Sequence, residues 1–154
     1  MTSRRHIFLL VVVAALTLSS CAVLDMLQEE DEMPSAANAD VEFVRVVESS
    51  DGLWTFHVTV RHPDTGWEDY ADGWDVVLPD GTVVKPDPDS PFTRLLTHPH
   101  ETEQPFTRSQ SGIVIPAEIT TVTVRAHDLV DGFGGLEVVV DLTVAEGDGF
   151  SVER

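Results

Sequence analysis

The sequence predicts an all-β protein, an antiparallel β-sandwich of about seven or eight short strands. Three observations predict it. Apolar and polar residues alternate at period two over several segments. Turn residues punctuate those segments at short intervals. No segment after residue 40 shows a helical apolar period with caps.

The elements follow in order. Val41 to Glu48 is rich in valine and predicts a first strand. Next, Trp54, Phe56, Val58 and Val60 alternate with Thr55, His57, Thr59 and Arg61, the pattern of a half-buried strand. Trp74 to Leu78 and Thr82 to Val84 flank Pro79-Asp80-Gly81, a turn signal. Phe92 to Thr97 lies between Pro91 and Pro99, and Gln110 to Ile115 is stopped by Pro116. Val122, Val124 and Ala126 form a further stripe. Leu136, Val138, Val140, Leu142 and Val144 form the last one. The tail from Gly147 to Arg154 predicts a frayed end.

Thr120 to Val144 therefore reads strand, Asp- and Gly-rich turn, strand. The segment resembles the closing hairpin of bacterial immunoglobulin-like and related surface-exposed sandwich domains. That resemblance implies an immunoglobulin-like order of strands. The chain departs from the pattern in having no cysteine pair and no tyrosine in the penultimate strand.

The N-terminus has a different character. A basic start containing Arg4 and Arg5 precedes the apolar run Ile7 to Leu18 and then Ser19-Ser20-Cys21. Twelve residues make a helix of about 18 Å, short for a hydrocarbon core of roughly 30 Å. The run reads as a removed signal rather than a permanent span. Leu18-Ser19-Ser20-Cys21 resembles the lipobox of bacterial lipoproteins. The resemblance implies cleavage before Cys21 and acylation of that cysteine. In a Gram-negative envelope, Ala22 after the cysteine, rather than Asp, would imply the outer membrane. The expected layout is a signal at 1–20, a lipidated cysteine with an acidic tether at 21–40, a sandwich at 41–146 and the tail at 147–154.

Charge narrows the partners. The chain has 9 basic and 27 acidic residues and a formal charge of −18. Losing residues 1–20 removes two arginines and no acid, leaving 134 residues at −20. Such a surface repels nucleic acid and anionic headgroups and attracts cations. Cys21 is the one cysteine. Once it is lipidated, disulfides, cysteine–zinc sites and a thiol nucleophile are excluded.

Several polar groups remain as candidates. His98, His100, Glu101 and Glu103 combine imidazoles with carboxylates, donors that suit zinc or copper. Asp128 lies in a second loop that could add an oxygen ligand, and His57, His62 and His127 are further candidates. The bland alternative is a solvated loop. Calcium is a weaker expectation: Asp64, Glu68, Asp69, Asp72 and Asp75 share one loop region, and Asp87 and Asp89 share another, but no EF-hand spacing occurs. Trp67 and Tyr70 could form a face for a glycan or an envelope protein, or simply cover the end of the sandwich. No nucleophile elbow or phosphate-cradling loop is present. The expected function is a non-enzymatic interaction or structural module, held to the membrane by its lipid and needing no cofactor. The alternative is a periplasmic zinc- or copper-binding protein using His98 and His100.

Overall fold

The computed structural model describes residues 38–154. The signal, Cys21 and the tether up to residue 37 lie outside the described residues. Among the described residues ten strands form: β1 Asp40–Glu48, β2 Trp54–Arg61, β3 Ala71–Val77, β4 Arg94–Leu95, β5 Phe106–Ile113, β6 Thr121–Asp128, β7 Gly132–Phe133, β8 Val138–Asp141, β9 Glu146–Gly147 and β10 Phe150–Glu153. They make two sheets. One has the order β5-β2-β1-β10-β9. The other runs β4-β3-β6-β7, with β8 also pairing β6. The fold class is the predicted one, a two-sheet all-β sandwich.

The alternation of the sequence explains the layering. Side chains on a strand point to opposite faces in turn, so one residue in two can be buried. Val44 faces Val58 and Val46 faces Phe56 across the antiparallel β1–β2 pair. All four are fully buried. From the other sheet Trp74, Val76, Val122, Val124 and Val140 enter the same core, again fully or almost fully buried. Each such side chain stabilises the fold by about 1.5–3 kcal/mol relative to exposure. The β1–β2 connection closes on Gly52, whose φ of +78° is available to glycine without strain. Its amide donates to the Ser49 carbonyl at 2.9 Å.

Several boundaries differ from expectation. Of the Phe92–Thr97 candidate, only Arg94–Leu95 pairs, at the edge of β3. Thr82 to Val84 supplies a single bridge, Val77 to Val83. The stripe from Leu136 to Val144 is cut short: β8 covers Val138–Asp141, while Leu136 is 67% exposed and Val144 43%. Conversely β5 begins at Phe106, four residues before the expected start, and ends at Ile113.

The C-terminal tail is not frayed. Phe150 to Glu153 runs parallel to β1, with Val44 opposite Phe150 and Val46 opposite Val152. Phe150 and Val152 are buried. The strand fills the open edge of β1, whose backbone groups otherwise lack partners. Arg45 then holds Glu153 through two hydrogen bonds, at 2.7 and 2.8 Å. The sandwich thus extends past residue 146.

Candidate functional site

Among the described residues a largely buried polar cluster lies where the ends of β2 and β6 approach. His62 follows β2 directly, so it leaves the first sheet. Asp128 is the last residue of β6 in the second sheet, opposite Ala71 of β3. The β2–β3 connection, residues 62–70, crosses between them. It contains a tight turn in which Thr65 donates to the Asp69 carbonyl at 3.0 Å and Asp69 to the Gly66 carbonyl at 3.2 Å. This turn brings Asp69 back over His62.

Asp64 organises the cluster from beneath. Its Oδ1 accepts from His62 Nδ1 at 2.7 Å and from the Ala71 amide at 3.1 Å. Its Oδ2 accepts from the His100 amide at 2.6 Å. An ionised carboxylate can only accept, so the His62 proton sits on Nδ1. In the neutral ring the lone pair is then on Nε2, which faces Asp69 Oδ1 at 3.6 Å. That separation is too long for a hydrogen bond.

Asp128 completes the group. It is fully buried. Its Oδ1 accepts from the amides of Val130 and Asp131, at 3.0 and 2.6 Å. Its Oδ2 meets no hydrogen-bond partner. One ligating atom from each of His62, Asp69 and Asp128 lies within 4.8 Å of the others. Among the described residues no lysine or arginine forms a salt bridge with Asp64, Asp69 or Asp128.

The residues singled out from the sequence are placed differently. His98 is exposed and His100 is buried, with the His100 ring stacked on Phe106 at 3.7 Å and 11° between planes. Burial holds the His100 imidazole below the usual histidine range. Arg108 and then His98 push the same way, against Asp64 and Glu103. Glu101 and Glu103 are exposed, and Glu103 pairs with Arg108 at 3.1 Å. Among the described residues, the group of three possible ligands within reach of one another is His62, Asp69 and Asp128. It includes none of His98, His100, Glu101 or Glu103. The physical reason is that His100 packs inward as a core aromatic while its neighbours in sequence face solvent.

The remaining candidates separate. His57 meets Ser109 at 2.6 Å on the first sheet, and His127 meets Asp72 at 2.6 Å on the second. Asp72 and Asp75 belong to β3 rather than a loop. Asp75 accepts from the Thr93 amide at 3.0 Å and pairs with Arg125 at 3.4 Å. Asp87 closes a turn by accepting from the Asp89 amide at 3.0 Å. Trp67 is 66% exposed and meets Tyr70 edge-on at 6.0 Å, on the turn that carries Asp69. Sequence reasoning named His62, Asp69 and Asp128 but not as one group, and Asp64 only as a calcium candidate. The available signal was position: His62 directly follows a strongly alternating strand, and Asp128 ends another.

Comparison with known proteins adds one relative. The chain is 43% identical over 86 residues to a protein of Halomicrobium mukohataei named "Putative lipoprotein". The match covers 56% of this chain and 38% of that protein. The chain therefore spans well under half the length of this relative. No protein-family profile and no solved structure matches the chain.

Proposed function

We propose that the chain is a lipid-anchored cell-envelope protein whose β-sandwich is a non-enzymatic interaction module. The observation that carries this reading is the N-terminal signature. Basic residues, a twelve-residue apolar run and Leu18-Ser19-Ser20-Cys21 stand in the order that export and lipidation require. The relative in Halomicrobium mukohataei, named "Putative lipoprotein", supports it. One acyl chain binds a membrane only marginally and two or more bind durably, so multiple acylation at Cys21 would itself fix the location.

The module reading draws on the surface. Trp67 and Tyr70 offer amphipathic contact area at the end of the sandwich. The acidic charge directs the domain away from nucleic acid and from anionic headgroups. An envelope protein or glycan is the partner class these features suit. The decisive variant is Cys21→Ala, with fractionation of host membranes as the readout. The wild-type chain should sediment with membranes and be released by detergent, and the variant should not. A Cys21→Ala chain that still partitions with membranes contradicts the reading.

A further inference from the structure

We infer that His62, Asp69 and Asp128 form a binding site for one divalent transition cation, zinc in the first instance, at the junction of the two sheets. The inference does not depend on the lipid anchor, and either can fail without the other.

Four observations point to it. The first is the donor set. One neutral imidazole and two carboxylates are ligands that zinc accepts, and imidazole favours zinc over calcium or magnesium. The second is spacing. Two ligand atoms each about 2.1 Å from a tetrahedral zinc stand about 3.4 Å apart. His62 Nε2 and Asp69 Oδ1 are 3.6 Å apart. That distance is poor for a hydrogen bond and close to the separation of two ligands on one ion.

The third observation is the unpartnered oxygen. Asp128 is fully buried, and its Oδ2 meets no donor. Burying an unpaired carboxylate is costly, and paired or metal-coordinating carboxylates are the arrangements that folded proteins tolerate. Its other oxygen is already used by two amides. Oδ2 is thus the atom left for a cation. The fourth is the support behind His62. A ligating histidine typically gives its second ring proton to a carboxylate, which fixes the tautomer and raises basicity. Asp64 Oδ1 takes that proton from Nδ1 at 2.7 Å, and Asp64 is itself held by the amides of Ala71 and His100. Asp64 is accordingly a positioning residue and not a ligand.

A cation there ties the β2–β3 connection to the end of β6. It joins the two sheets at a point where, among the described residues, the carboxylates of Asp64, Asp69 and Asp128 form no salt bridge with a lysine or arginine. Three protein ligands leave at least one position for water, on the side of half-exposed Asp69.

The test uses the untagged full chain, purified in detergent, stripped with chelator and titrated with zinc. Bound metal and melting temperature are read together. The expected result is one zinc per chain and a rise in melting temperature on the order of 5–10 °C with zinc in large excess over its dissociation constant. Asp128→Asn keeps the Oδ1 acceptor for Val130 and Asp131 but removes the charge. Asp69→Asn alters a half-exposed side chain. Each should weaken zinc binding at least about tenfold, with the zinc-free melting temperature of Asp69→Asn unchanged. His98→Ala should bind as the wild type does. No stoichiometric zinc in the wild type, or full zinc affinity in Asp69→Asn, overturns the inference. Calcium displacing zinc at equal concentration overturns the assignment to a transition metal.

Discussion

The His100 ring lies flat against Phe106, and neither of its nitrogens has a hydrogen-bond partner. Burying such a ring with both nitrogens unpartnered has a cost when it is neutral and a larger one when it is charged. Its folded-state affinity for protons is therefore lowered, chiefly by burial and then by Arg108 and His98. The unfolded chain binds the proton near the ordinary histidine value of about 6.5. Below that value, the unfolded state holds a proton that the folded state refuses. Stability from this residue is full above pH of about 6.5 and falls as pH drops towards the folded value. His100→Phe removes the titration while keeping an aromatic ring in place. At neutral pH the variant should match the wild type to within about 1 kcal/mol, because no hydrogen bond is lost. Between pH 7.5 and 5.5, melting curves of the wild type should fall more steeply than those of the variant. Parallel curves for the two proteins contradict this account of His100.

Among the elements, β10 is the one whose role is least expected from its length. It has four residues, yet it supplies two buried apolar side chains and the parallel partner of β1. Removing residues 150–154 should expose the β1 edge and forfeit the burial of Phe150 and Val152. At about 1.5–3 kcal/mol for each side chain, the truncated chain should melt many degrees lower or fail to fold. An unchanged melting temperature would mean the tail is dispensable. The sequence concealed this strand because only two apolar residues mark it, flanked by Gly147, Gly149 and three charges. Its partner, β1, lies more than 100 positions away, and no local pattern records such a pairing. The long strands were legible for the opposite reason. Trp54 to Val60 and Val122 to Ala126 alternate cleanly because one face of each is core and the other is not. The polar site falls between these cases. His62, Asp69 and Asp128 are visible as residues, but their meeting depends on one tight turn at Gly66–Asp69 and on which sheet each strand joins. The neighbouring His98-Pro99-His100 motif was more conspicuous in sequence, yet its second histidine is a packing residue.

Across the whole molecule, a cysteine-free sandwich of Val-rich sheets carries a formal charge of −18 for the full chain. Its stability rests on apolar packing between two sheets, with no disulfide to constrain the unfolded chain. The acidic surface is repelled by anionic lipid, and the membrane attachment proposed above is a covalent anchor. Cys21 is the residue that can provide one. The proposed membrane attachment thus depends on the chemical state of that single thiol. The most direct measurement is intact-mass spectrometry of the protein extracted from its host's membranes. The account predicts a chain lacking residues 1–20, beginning at Cys21 and heavier than its peptide mass by the attached lipid. A chain retaining Met1, or one cut elsewhere with Cys21 unmodified, contradicts it.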